Sequence, residues 1–334
     1  MNTKNIKQSK KMINEIKLKC PRCKAGLAGL DCPQCSYVYK KEGNVFYFSK
    51  AVDDFYEGKF IENKDAKGML PSIIPEVLKK HIWKFFVKTS LILRYQEFFC
   101  KYLDGIKKKK DKLDILDLAC GGGNNFLKEF GDVYGVDISK QSIEVARKNY
   151  DYCFVADIFN LPFEDKMFDA VVSFELVEHV SEDKLDMFLK EVKRVLKDDG
   201  LSLHYYVVDS QCVLGRFIKK YPDLYEKYFV ANDGHFGLLT AGESLSRFKD
   251  AFEIVKYRNI FSKMLMPLGI VKYFDNEYAE KNIFIRFLVK ISKVIVNNVY
   301  LHSISSILLY PIYLFNDFFK KENDGFNVVI CVKK

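Results

Sequence analysis

The 334-residue sequence predicts an α/β fold, a doubly wound sheet of seven strands, and three observations carry that expectation. Short apolar runs alternate with stretches of helical periodicity from residue 111 to about 260. The first run, 115–119, leads directly into Gly121-Gly122-Gly123, and the second, 133–136, ends in Asp137. A last apolar run, 326–332, returns after a long insertion. Strand, glycine turn, helix, strand, acid is the opening of a parallel sheet with helices on both faces.

The elements follow in order. A helix is expected over 140–149, then a strand over 153–156 closed by Asp157. Residues 168–174 (FDAVVSF) read as a fully buried strand, and 182–196 as an amphipathic helix ending at Asp198-Asp199-Gly200. Strand 201–208, helix 242–252 and strand 253–259 come next. Strands 253–259 and 326–332 then flank an apolar helical insertion, 261–324. The core is thus expected over 111–260 plus 325–334. Within the insertion, 284–319 is rich in aliphatic and aromatic residues, but Lys290, Lys293, Asn297, Asn298 and His302 interrupt it and Pro311 breaks it. No uncharged run reaches the roughly 20 residues that span a bilayer; 303–315, the most apolar piece, has 13.

Ahead of the core lie a basic leader (1–17), a cysteine-rich segment (18–50), and a connector with helices (51–110). The formal charge of +9 is concentrated at the start, where residues 1–24 hold eight Lys or Arg against Glu15 alone. Such an arm is a solvated tail or a contact for RNA or an anionic membrane. The basic start is not followed by an apolar stretch of secretory type. Cys20-Pro-Arg-Cys23 and Cys32-Pro-Gln-Cys35 bring four thiolates to tetrahedral spacing, which predicts a structural Zn²⁺ in a ribbon. Metal-type rather than disulfide-type cysteine usage implies a reducing, cytoplasmic setting, with membrane association left open. Apolar positions from Val77 to Leu103 recur at helical spacing, and Lys107 to Lys110 form a four-lysine run read as a solvated helix end.

Glycines serve where backbone must approach a ligand at positive φ, and an acid at the tip of the second strand can accept both hydroxyls of a ribose. The pair Gly121/Asp137 therefore points to an adenosine-containing cofactor. Phe126 occupies the position where a dinucleotide loop would need its third glycine, which counts against NAD.

In Asp117-Leu-Ala119-Cys-Gly121-Gly-Gly123, followed by Asp137, Asp157, the FDAVVSF strand and Glu175-Leu-Val-Glu178-His179-Val, the chain resembles the class I S-adenosylmethionine-dependent methyltransferases of the type 11 group, whose sheet is Rossmann-like. The likeness covers roughly 111–259 and the last strand. It implies S-adenosylmethionine as cofactor, bound by Asp117, Ala119, Gly121, Gly123, Asp137, Ile138, Asp157, Ile158 and Glu175. Alanine stands at the family's first glycine, and Asp198-Asp199 departs from its usual turn. Asp137 corresponds to the ribose-binding acid and Asp157 to the acid that reads the adenine amino group, with Ile158 and Leu161 as walls. The ribbon, with Cys20, Cys23, Cys32 and Cys35 as ligands, is similar to the zinc domain of a bacterial 23S rRNA guanine methyltransferase.

Methyl transfer from a sulfonium asks the protein mainly for alignment and a dry pocket. A base is needed for an unionised hydroxyl or amine, and His235, His179 and Glu178 are the candidates. A hydrogen-bonded structural histidine is the alternative for both rings. The expected acceptor is a small molecule, a lipid or a lipid-linked compound. An RNA acceptor gripped by ribbon and leader is the second reading. The stretch 284–319 is expected either to cap an apolar pocket, to touch a membrane face peripherally, or to pack on the core. Neither the acceptor atom nor the oligomeric state is legible.

Overall fold

The structure, a computed structural model, describes residues 16–49, 55–57, 59, 94–260, 267–298, 300–302, 304–305, 308–309 and 327–334. Most of the basic leader, the helical pattern before residue 94, Pro311 and most of the 303–315 apolar piece lie outside these described residues.

The strands are β1 (Lys40–Glu42), β2 (Val45–Tyr47), β3 (Leu113–Leu118), β4 (Gly131–Asp137), β5 (Tyr152–Val155), β6 (Phe168–Phe174), β7 (Leu196–Val207), β8 (Glu253–Ile260) and β9 (Asn327–Lys333). They form one sheet in the order β1-β2-β5-β4-β3-β6-β7-β9-β8. The seven strands from β5 to β8 are the expected doubly wound core, with β9 inserted antiparallel between β7 and β8. The order reverses at β3, which opens a crevice at the carboxyl ends of β3 to β6.

The expected count of seven is corrected to nine. The hairpin of the cysteine-rich segment does not stand apart: β2 pairs in parallel with β5, Phe46 opposite Phe154, and carries β1 with it. The β5 edge offers unpaired backbone groups, and the hairpin satisfies them. Phe46 stacks on Phe154 with ring centroids 4.8 Å apart, which buries both rings in the same stroke.

Alternation sets the two faces of the sheet. Leu116, Leu118, Val136, Phe154, Val171 and Ile330 point into one core; Ile115, Val133, Cys153, Val172, Leu203 and Cys331 point into the other. Helices α1 (Arg94–Lys107), α2 (Lys140–Ala146), α3 (Glu182–Val195), α4 (Val213–Ile218), α5 (Pro222–Tyr225) and α6 (Ala241–Ala251) accompany them. The connection expected as a helix after the glycine turn is a five-residue 3₁₀ segment, Asn125–Glu129, because only seven residues separate Gly123 from Gly131. Helix α3 stops at Val195, and Asp198-Asp199 lies in a bulge of β7, where the register with β6 jumps from Phe168–Leu196 to Ala170–Leu201; Lys166 and Lys334 hold Asp198 at 2.7 and 3.2 Å.

Lys110, from the four-lysine run, is more than a solvated end. It lies 2.6 Å from Asp169, which also accepts from the Asp114 N–H and Lys197. Burial would raise the Asp169 pKa, but these three donors outweigh it and hold it down. The cluster sits at the amino ends of β3 and β6, away from the crevice.

Helices α7 (Pro267–Phe274), α8 (Glu277–Lys281) and α9 (Ile283–Val296) come from the insertion. They share a separate apolar cluster with α4, α5 and the following π-turn, built on Phe229, Phe274, Tyr278, Ile285 and Val289. No helix among the described residues is long and apolar enough to cross a membrane.

Candidate active site

A cavity opens at the carboxyl ends of β3 to β6. Ala119, Cys120, Gly121 and Gly122 form its floor loop, Asp137 and Ile138 the tip of β4, Ala156 to Phe159 the segment after β5, and Phe174 to Leu176 the end of β6. Of the residues expected to bind cofactor, Ala119, Gly121, Asp137, Ile138, Asp157, Ile158 and Glu175 line it together. Asp117 and Gly123 are not among the lining residues. Asp117 is fully buried behind the loop, accepting from the Tyr150 hydroxyl at 2.6 Å and from Asn124 Nδ2 at 3.2 Å. The same Tyr150 hydroxyl also accepts from the Asn124 N–H, so one phenol ties strand and loop.

The loop bends because Ala119 (φ 49°) and Gly121 (φ 54°) both take left-handed backbone. Glycine does so freely; alanine does so at a cost of about 1 kcal/mol or more. Glu175, across the cavity, is also left-handed (φ 55°), with its N–H donating to Tyr205 O at 2.6 Å. Two strained non-glycine residues thus face one cavity, the pattern expected where backbone shape serves binding.

Asp137 is nearly buried and accepts from the N–H groups of Gly121 (2.9 Å) and Ser139 (2.8 Å). Burial raises its pKa, while those two amides pull the other way. Ser139 caps α2 by accepting from the Ser142 N–H, so the acid is fixed between a glycine loop and a helix start. A carboxylate at one wall and apolar Ile158 and Phe159 at another fit a ribose and its base, and the folded-back loop leaves backbone beside them. Cys120 is buried and its thiol is pushed well above the ordinary range, which suits a small loop residue and not a nucleophile.

Tyr56, Ser142, Phe159, Phe174 and Val180 also line the cavity, beyond the residues expected to bind the cofactor. Tyr56 comes from the connector. Glu57 beside it accepts from the Lys140 and Gln141 N–H groups at the start of α2, at 3.1 and 3.0 Å. Lys59 donates to Asn232 O at 2.6 Å, and the Tyr56 ring meets His179 edge-on at 5.8 Å. This short piece spans the cavity mouth from α2 to the loop at 232–236. An acid two residues after an aromatic, Phe55-Tyr56-Glu57, was the only local signal, and it carries no periodicity.

His179 lines the cavity, and His235 lies against it with ring centroids 5.2 Å apart. Burial, then the neighbouring His235, lowers the His179 pKa to about 4. Burial lowers His235 as well, against the attraction of Asp233. Glu178 is buried behind them, outside the lining, with Oε1 accepting from the Val207 N–H at 3.1 Å. The ligand atoms of Glu178, His179 and His235 lie within 4.8 Å of one another, a set that suits proton transfer or a divalent cation.

Cys20, Cys23, Cys32 and Cys35 converge in the same way, with Sγ···Sγ separations of 3.7 Å (Cys20–Cys35) and 3.3 Å (Cys23–Cys32). A tetrahedral ion with about 2.3 Å metal–sulfur bonds fits between sulfurs so placed. Each knuckle closes by a backbone bond, Lys24 N–H to Cys20 O and Ser36 N–H to Cys32 O, and Lys24 and Ser36 are both left-handed. Cys20 is drawn down to about 6: burial opposes this, but the Tyr39 hydroxyl and the amides of Cys23 and Arg22 favour the thiolate. Cys32 is also lowered, by the Cys35 amide, whereas Cys23 and Cys35 are raised. A bound Zn²⁺ would take all four as thiolates.

Residues 116–203 match a family model described as a methyltransferase domain. The chain is 34% identical over 176 residues to the ubiquinone biosynthesis O-methyltransferase of Pelagibacter ubique, covering 49% of this chain and 63% of that one. It is 30% identical over 148 residues to an uncharacterized protein of Methanocaldococcus jannaschii (44% and 68% covered). Over 103 residues it is 33% identical to the human protein named probable tRNA methyltransferase 9B (30% and 22% covered). The chain thus spans less than two thirds of the length of both relatives named for an activity. With the strand order, the floor loop and the acid at the tip of β4 in agreement, residues 116–203 form a methyltransferase domain with the class I sheet around them.

Proposed function

We propose that the chain is an S-adenosylmethionine-dependent methyltransferase that methylates an O, N or C atom of a small-molecule, lipid or lipid-linked acceptor. The observation that carries this reading is the convergence of Ala119, Gly121, Asp137, Asp157, Ile158 and Glu175 on one cavity. When bound there, S-adenosylmethionine supplies an activated methyl group. Asp137 would hold the ribose hydroxyls, Asp157 and Ile158 the adenine, and Glu175 the amino-acid end. His179, with His235 and Glu178 behind it, would take the acceptor proton at the cavity edge, and Tyr56 would help exclude water.

Two features support an apolar acceptor. The relative named for ubiquinone biosynthesis methylates oxygen by its name. Helix α9 exposes Ile283, Phe284, Phe287, Ile291 and Val294, with Arg286, Lys290 and Lys293 on the same helix and no acid in it, which suits peripheral contact with an anionic lipid surface. Zn²⁺ would hold the ribbon as a structural ion.

An RNA acceptor is the second reading. A groove between the ribbon and α2, whose lining includes Tyr37, Lys40, Tyr47 and Lys140 but also the acid Glu42, offers rings and cations to a nucleic acid, and one relative carries a tRNA methyltransferase name. A methyl-donor turnover assay against lipid, metabolite and RNA fractions separates the two. Incorporation into the lipid or metabolite fraction supports the first reading; salt-sensitive incorporation into RNA alone favours the second.

A further inference from the structure

The segment after β5 forms one wall of the cavity, and the ribbon grips it at both ends. Upstream, the Phe48 and Ser49 N–H groups both donate to Val155 O, at 2.9 and 3.0 Å. Downstream, the Lys19 N–H donates to Pro162 O at 3.1 Å, the Glu164 N–H donates to Lys17 O at 3.1 Å, and Leu18 bridges Phe163 antiparallel. Lys19 also pairs with Asp165 at 2.7 Å. Between these clamps lie Ala156, Asp157, Ile158 and Phe159, all lining the cavity.

The middle of the segment is held by Asn160. Its Nδ2 donates to the carbonyl of Pro21 at 2.9 Å, and its Oδ1 accepts from Lys24 Nζ. Pro21 stands between Cys20 and Cys23, and Lys24 follows Cys23 directly in left-handed backbone. Both contacts therefore come from the first cysteine knuckle itself, whose shape its two sulfur ligands fix. The Asn160 N–H donates to Asp157 O at 3.1 Å, which closes the turn that presents Asp157 and Ile158. On the far side, Glu191 and Arg194 hold Leu161 through its N–H and its carbonyl, and Arg194 also donates to the Phe163 carbonyl at 2.6 Å and to Asp165 at 2.9 Å, all downstream of Asn160.

We propose that the first cysteine knuckle positions the adenine-side wall of the cavity through Asn160, so that metal loading of the ribbon sets cofactor affinity. Asn160 is a positioning residue: it acts on the cofactor through Asp157 and Ile158. The proposal rests on the reading of the cavity as the S-adenosylmethionine site.

The test measures S-adenosylhomocysteine affinity calorimetrically on the full chain, with zinc content assayed on the same samples. Asn160→Ala removes both contacts with the knuckle; Asn160→Asp keeps the Lys24 contact and loses the donation to Pro21. With zinc retained, Asn160→Ala is expected to bind about tenfold more weakly and Asn160→Asp to fall between. Chelation of the folded wild type should weaken binding by a similar factor, and chelation of Asn160→Ala should add little, because both act through one contact. Wild-type affinity in zinc-loaded Asn160→Ala overturns the proposal, as do chelation and substitution effects that simply add. Should chelation unfold the chain by circular dichroism, the zinc-retaining Asn160 variants decide it. A wild type that binds no S-adenosylhomocysteine counts against the methyltransferase reading instead.

Discussion

His179 Nδ1 lies 2.8 Å from the carbonyl oxygen of Gly234. A carbonyl only accepts, so Nδ1 carries the proton and Nε2 is the acceptor nitrogen of the neutral ring. With its pKa near 4, His179 is neutral at physiological pH. The left-handed turn at Gly234 (φ 77°) makes the carbonyl available and brings His235 alongside. The hydrogen bond to Gly234 thus fixes the tautomer of a neutral ring at the cavity wall.

That tautomer has a kinetic consequence. His179→Ala should lower kcat by about 10²- to 10⁴-fold on a hydroxyl or amine acceptor, with cofactor affinity changed far less. Steady-state kinetics and cofactor titration on the same variant check it. Unchanged kcat would assign His179 a structural role.

Gly237 tests how tightly the loop carrying His235 must dock. Its N–H donates to Glu178 O at 2.8 Å, and a Cβ built there would lie 1.8 Å from Val180 O, a backbone atom that cannot swing aside. Gly237→Ala should destabilise the chain by about 2 kcal/mol or more and displace the loop. Urea denaturation reads the first effect and activity the second.

The strained floor loop predicts the opposite sign. Ala119→Gly removes the cost of left-handed alanine (φ 49°), offset in part by glycine's greater freedom when unfolded. The expected net gain is up to about 1 kcal/mol, seen as a higher urea midpoint; a loss of stability would show that the methyl group contributes contacts worth more than the strain.

Acid sensitivity follows from the buried imidazoles. His204 is fully buried between Ser173 and Ser202, at 2.8 Å on each ring nitrogen, and burial lowers it to about 3. Its folded pKa is depressed from 6.5, so its contribution is intact above that value and is lost as pH falls toward 3. Over that window unfolding takes up one proton at His204, which lowers stability by about 1.4 kcal/mol per pH unit. His179 adds a like slope down to about pH 4. Denaturation midpoints at pH 7 and pH 5 measure the total. His204→Asn, which does not titrate, should show the shallower slope; equal slopes would contradict this.

Much of this was legible beforehand because periodicity and spacing record it. The core strands fell where apolar runs end in glycine or acid, and Asp137 and Asp157 flank the same cavity because β4 and β5 are neighbours. The four cysteines converge as their spacing implied. What escaped depends on tertiary contact. Nothing in Lys40–Tyr47 says that a ribbon hairpin will add to the β5 edge. Tyr56 and Tyr150 act on the floor loop and cavity from segments without a motif. The turn expected at Asp198-Asp199 is a bulge inside β7, where Asp198 meets Lys166 and Lys334 from segments far away in the sequence.

On the function proposed above, Asp137 anchors an adenosine cofactor over the floor loop. Calorimetric titration of S-adenosylmethionine into wild type and Asp137→Ala tests it most directly, with circular dichroism confirming that the variant is folded. One bound cofactor per wild-type chain and at least tenfold weaker binding in Asp137→Ala are expected, the loss of a charged hydrogen-bond acceptor being about 1.5–3 kcal/mol. A wild type that does not bind, or a folded variant that binds equally well, would contradict it.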